Sequence, residues 1–80
     1  MRSARAFGSE KAETRAREIL GLGFDVLDAL HTAFAEASGA RWLVTTDDRL
    51  VALGRRHRVG LRVEITNPIH VLEMLTGGEP

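Results

Sequence analysis

Two sets of carboxylates stand out by type and position. The run RWLVTTDD, residues 41–48, carries large apolar residues into two threonines and then the adjacent Asp47 and Asp48. Asp28 precedes it, at the start of an amphipathic segment. Gathered carboxylates repel one another unless a cation neutralises them, and hard oxygen ligands select Mg2+ or Mn2+. An ion held that way activates water for attack on a phosphodiester and stabilises the charge that develops. The competing reading is local, because an aspartate after a strand is a good turn and helix-cap residue. Capping accounts for one of the pair, assigned to Asp48, and does not readily explain Asp47 as well. Asp28 taken alone is a favourable acid in a first helical turn. His31 lies three residues further, on the same helical side, and reads as a neighbour of the site rather than a ligand. Glu36 lies two turns beyond Asp28, too far to share one ion, and reads as solvent-exposed. His57 and His70 read as surface groups.

The composition narrows the setting for this chemistry. Eighty residues make one small domain, whose core needs close packing or a partner. With 44% hydrophobic and 28% charged residues, the chain has an ordinary globular composition. It has no cysteine, which excludes disulfides, thiolate zinc sites and a cysteine nucleophile and fits a reducing cytoplasm, the expected location. No apolar run approaches the roughly 20 residues that span a bilayer, so no membrane partner is expected. The formal charge is zero, yet Arg49, Arg55, Arg56, Arg58 and Arg62 crowd one stretch with His57. That stretch reads equally as a solvated surface or as a phosphate-binding patch.

The elements that must position these groups follow from periodicity and punctuation. Residues 1–8 form a basic arm, 9–76 the domain and 77–80 a tail. Ser9 is a plausible cap for a helix over Glu10 to Leu20, with Ala12, Ala16, Ile19 and Leu20 on one face. Asp25 opens a second helix that runs to Ser38 and is closed by Gly39. Its apolar face is Val26, Leu27, Leu30, Ala33, Phe34 and Ala37, opposite Asp28, His31, Thr32 and Glu36. Arg41 to Thr45 lacks alternation and reads as a strand covered on both faces, with Trp42 in the core. A third helix spans about Arg49 to Arg56, with Leu50, Val51 and Leu53 inward. Leu61, Val63 and Ile65 alternate with Arg62, Glu64 and Thr66, giving a strand with one wet face. Asn67-Pro68 starts a final helix through Ile69, Leu72 and Leu75. Two strands joined by a helix are expected to be parallel. In such sheets sites lie beyond the carboxyl ends of the strands, where Asp47 and Asp48 fall. The expected architecture is a three-layer α/β fold in the order α-α-β-α-β-α. Two strands make a small sheet, so the chain reads like the second half of a larger one.

The segment LDALHTAFAEASGARWLVTTDDRL, residues 27–50, resembles the C-terminal core of PIN-domain proteins, and LRVEITNPIHVLEML resembles that family's last strand, Asn-Pro turn and closing helix. The resemblance covers about residues 10–75. It implies a PIN-like fold and, by the family's best-known members, a metal-dependent endoribonuclease of the kind found as toxins in toxin–antitoxin pairs. It implies that Asp28 and Asp47 are catalytic residues holding Mg2+ or Mn2+, and that Thr45 supports Asp47. Asp48 lies one residue past the match and serves the helix cap. Arg49, Arg55 and Arg56 are the corresponding candidates for RNA phosphates. The departure is also informative. The strand that ends in the family's first aspartate, and the acid of an early helix, have no counterpart in these residues. The implied partners are RNA, an antitoxin-like protein, and either a homodimer or a complementing N-terminal half. The expectation for this chain by itself is little or no activity. A competing expectation is a non-catalytic module that pairs through its open sheet edge.

Overall fold

Glutamates early and an arginine late in a helix suit its dipole, and α1 runs from Glu10 to Leu20 with that arrangement. The computed structural model describes residues 10–77. The expected Ser9 cap, the basic arm and all of the tail but Gly77 lie outside them. After α1 come α2 (Val26–Ala37), β1 (Trp42–Val44), α3 (Asp48–Arg56), a 3-10 turn (Arg58–Gly60), β2 (Glu64–Thr66) and α4 (Pro68–Leu75). The chain is thus a small α/β domain with four helices and two parallel strands, in the order expected.

α1 and α2 form an antiparallel-type hairpin closed by small residues. Ala12, Ala16 and Ile19 of α1 are buried, while Leu20 stays 41% exposed. The buried face of α2 is rotated from the one expected. Ala29, Thr32 and Ala33 are buried, whereas Val26 and Leu27 are more than half exposed. Two alanines allow the helix axes to approach closely, so the small face wins over the large apolar one. Thr32 tolerates complete burial because its hydroxyl donates to the Asp28 carbonyl at 2.7 Å. α2 then ends on glycine for a physical reason. Gly39 adopts φ 77°, which lets its amide reach the Glu36 carbonyl and the Ala40 amide reach the Ala35 carbonyl.

The sheet is short. Trp42 pairs with Glu64, Leu43 with Ile65 and Val44 with Thr66. β2 was expected to start at Leu61, but the ladder opens with the Glu64 amide on the Arg41 carbonyl at 3.0 Å. A strand can be no longer than the partner that bonds it, and β1 has three residues. Val63 and Ile65 are buried beneath α3, and Arg62 and Glu64 are exposed, so the wet face is as expected until Thr66, which is buried. The expectation that β1 is covered on both faces fails among the described residues. Trp42 and Leu43 are half-buried and Val44 is 46% exposed. The Trp42 indole Nε1 is buried without a hydrogen-bond partner among the described residues, and the Arg41 guanidinium lies over the ring at 4.7 Å.

One core joins the hairpin to the sheet. Ile19 and Phe24 pack with the alanines of α1 and α2, with Leu50 of α3 and with Ile65 of β2. α4 stands apart from it and buries none of its residues. No helix among the described residues is long and apolar enough to cross a membrane.

Candidate acidic site at the end of the sheet

Simple lengths place Asp28 and Asp47 at one level. Going back along α2 from Ser38 to Asp28 covers about 15 Å at roughly 1.5 Å per residue. Going forward from Arg41 past the end of β1 to Asp47 covers at most about 20 Å. The four-residue connection 38–41 reverses the chain between them. The first turn of α2 and the carboxyl end of β1 therefore share an edge of the molecule.

The local structure at each acid is specific. Asp25 caps α2, its Oδ1 accepting the Asp28 amide at 2.8 Å. The helix that follows β1 is capped by Asp47, not by Asp48 as the sequence suggested. Asp47 Oδ1 accepts the amides of Arg49 at 3.0 Å and Leu50 at 3.3 Å. The strand ends one residue earlier than expected, at Val44, so the cap position moves back with it. Asp48 becomes the first helical residue, an acid favoured there by the helix dipole. The Thr45 hydroxyl accepts the Asp47 amide at 3.1 Å, and the Thr45 amide continues the ladder to the Thr66 carbonyl at 2.9 Å. Thr45 therefore ties the capping turn to the sheet.

The electrostatics register the gathering. The Asp28 carboxyl is raised from its ordinary value, first by burial, then by the charge of Asp25, by a side-chain hydrogen bond to Asp25 and by the charge of Asp47. His31 opposes these effects. Asp28 thus feels the carboxylate that caps its own helix and another just beyond the carboxyl end of β1. The third member of this group, Asp25, was read from sequence only as a helix opener. Its spacing of one helical turn from Asp28 was the available signal. As a metal centre the set is short. Among the described residues no three carboxylate or imidazole groups converge closely enough to hold an ion, and both cap bonds fall on one oxygen of Asp47.

The other candidates separate from this edge. Arg49 is exposed in the first turn of α3, beside Asp47. Arg55 and Arg56 are exposed in its last turn, roughly 10 Å further along the axis by helix geometry. Glu36 is corrected outright: its side chain is 2% exposed and is held by Arg15 through Nε–Oε1 at 2.6 Å and Nη2–Oε2 at 3.0 Å. The Arg62 amide also donates to Glu36 Oε2 at 2.8 Å. Burial pushes this carboxyl up, but Arg15 and the Arg62 amide outweigh it, so it sits below its ordinary value. His57 is half-buried against the Phe24 ring, and His70 Nε2 lies 3.4 Å from Glu64 Oε2. Comparison of the chain with protein-family models, with curated proteins and with solved structures finds no match to any of them.

Proposed function

We propose that this chain is the C-terminal half of a PIN-like, metal-dependent endoribonuclease fold, weak or inactive until acids from beyond these residues complete its site. What supports the reading is the shared edge of Asp28 and Asp47, contributed by two elements at the carboxyl end of a parallel strand. The repulsion that Asp28 feels from Asp25 and Asp47 is what a bound cation would relieve. Asp28 and Asp47 would hold Mg2+ or Mn2+ with at least one further acid, supplied upstream in the same polypeptide or by a partner. Such an ion supplies Lewis acidity toward a phosphodiester oxygen and a more acidic water. The chain's own contribution is positional. Thr45 and the α3 cap fix the Asp47 carboxylate, the first turn of α2 fixes Asp28, and Arg49 stands beside them to meet an RNA phosphate.

The test exploits the cap. Asn caps a helix about as well as Asp, so Asp47→Asn removes the charge and leaves α3 intact, whereas Asp47→Ala loses about 1 kcal/mol of capping. The expected result is a rise in unfolding temperature with Mn2+ for the parent chain, abolished in Asp47→Asn and in Asp28→Asn. Any Mn2+-dependent cleavage of RNA by the completed domain disappears in parallel. Cleavage that survives Asp47→Asn would sink the assignment.

A second reading has its own support. β1 bonds to a strand on one side alone among the described residues, and α4 leaves Ile69, Leu72 and Leu75 each more than 60% exposed. An unprotected edge beside apolar surface suits a non-catalytic module that pairs with another chain, a second copy or an antitoxin-like protein. It predicts association that is indifferent to metal and to the loss of either aspartate.

A further inference from the structure

Away from the acidic edge, a groove of about 650 Å3 runs between the last turn of α3, the 3-10 turn, β2 and α4. Neither Asp28 nor Asp47 lines it. Its rim carries Arg55 and Arg58, and its opposite wall carries Glu64 and His70. Between them lie apolar residues, including Val59, which is 98% exposed, and the half-buried Leu61.

Three observations bear on what this groove takes. Among the described residues the ion pairs are Arg15 with Glu18 and Glu36, and His70 with Glu64, so both rim guanidiniums lack a carboxylate partner. The carboxylate of the groove faces His70 rather than either of them. Arg55 in the last turn of α3 and Arg58 at the head of the 3-10 turn both line the groove, so it offers two guanidiniums to one ligand. A carboxylate fills one guanidinium fork, but a phosphoryl group has oxygens for two. An acidic strand lying along the outer edge of β2 would instead present its acids nearly 7 Å apart. The volume is also too large for a bare anion and falls in the range of roughly 300–1,000 Å3 typical of small-molecule sites.

We propose that this groove binds a nucleotide, with Arg55 and Arg58 on the phosphoryl group and the sugar and base lying over Val59 and Leu61. Glu64 and His70 supply an acceptor and an imidazole for the polar edges of sugar or base. The proposal uses none of the groups of the acidic edge and stands whether or not that edge holds a metal. The same chemistry is offered by a free mononucleotide and by a nucleotide within single-stranded RNA.

The experiment is a titration of the whole chain followed by amide NMR, with inorganic phosphate, uridine and adenosine monophosphates, hexauridylate and hexaglutamate as separate probes. Expected are saturable shifts at Gly54, Arg55, Arg58, Val59 and Leu61 with nucleotides, weakened by salt and unchanged by chelator or by Asp47→Asn. Arg55→Ala/Arg58→Ala, which alters two exposed side chains and is checked for folding by its own spectrum, weakens binding by at least about tenfold. Hexauridylate binding tighter than the monophosphates identifies RNA as the source, and equal affinity identifies the free nucleotide; both support the groove. Phosphate binding as tightly as nucleotide would overturn the proposal. So would hexaglutamate producing the shifts where nucleotides do not. Shifts confined to other residues, or unaffected by the double substitution, would overturn it as well.

Discussion

Glu36 and Asp28 sit two turns apart on one helix, and their surroundings move them in opposite directions. Glu36 is depressed below its ordinary 4.5, so its contribution to stability is fully present above that value and is lost as pH falls through the folded pKa. Asp28 is raised above its ordinary 3.8, so the fold disfavours its charge and stability is lost as pH climbs from 3.8 through the folded pKa. The larger stake is Glu36, because its side chain is 2% exposed and Arg15 and the Arg62 amide both depend on it. Removing one partner of a buried pair costs roughly 3–5 kcal/mol, and the partial exposure of Arg15 reduces that to about 2–4 kcal/mol here. A chain of this size holds only about 4–12 kcal/mol in total. Glu36→Gln is therefore expected to lower the urea midpoint severely at pH 7, and by less in acid once the pH falls through the folded pKa of the parent carboxyl. Arg15→Met/Glu36→Leu should recover most of the loss, since an apolar pair leaves no unpaired charge. Destabilisation by Glu36→Gln that stays the same down to the pH at which the parent carboxyl is seen to titrate would show that packing rather than the ion pair carries the effect.

At the scale of elements, the contact between α3 and β2 turns on a glycine. A Cβ built at Gly54 would stand 2.7 Å from Ile65 Cβ, which belongs to a buried side chain next to the backbone and has no room to swing away. Alanine favours a helix over glycine by about 1 kcal/mol, but forcing a methyl into a packed contact costs about 1–3 kcal/mol. Overpacking is expected to win, so Gly54→Ala lowers the thermal midpoint, and adding Ile65→Val, which keeps the clashing Cβ, does not restore it. A rise in midpoint on the single change would mean that α3 sits further from the sheet. The sequence showed the existence and order of these elements, because caps, glycines and periodicity are local signals. It did not show which face of α2 is buried. There Val26, Leu27 and Phe34, read on one face with Ala33, outweigh Ala29 and Thr32 on paper, yet only Ala33 of that face is fully buried, together with Ala29 and Thr32. The burial of Glu36 was illegible for a related reason, since its partner Arg15 lies 21 residues earlier on another helix. At the acidic edge Asp28 and Asp47 were legible as end-of-element acids. The exchange of roles between Asp47 and Asp48 was not, because it hangs on one residue of strand length.

At the scale of the whole molecule, the apolar surface is distributed unevenly. The core gathers where α1, α2, α3 and β2 meet, while among the described residues β1 has an open side and α4 projects Ile69, Leu72 and Leu75 outward. Open edges are usually blunted by a lysine, a proline or a bulge, and Trp42-Leu43-Val44 carries none of these. The indole Nε1 of Trp42, buried and without a hydrogen-bond partner among the described residues, adds an unmet donor in the same strand. Both features favour association over a free chain. Light scattering at a concentration on the order of 100 μM detects any contact worth more than about 5.5 kcal/mol. The expected mass lies above the 8.8 kDa of one chain and moves toward twice that value as concentration rises. Val44→Lys places a charge on a residue already 46% exposed, so it should return the mass to that of one chain with little loss of helix signal. Leu72→Glu should do the same if α4 borders the contact, while Asp47→Asn should leave the mass unchanged. A parent chain that holds the single-chain mass throughout the range would show that the edge of β1 is not a self-pairing surface.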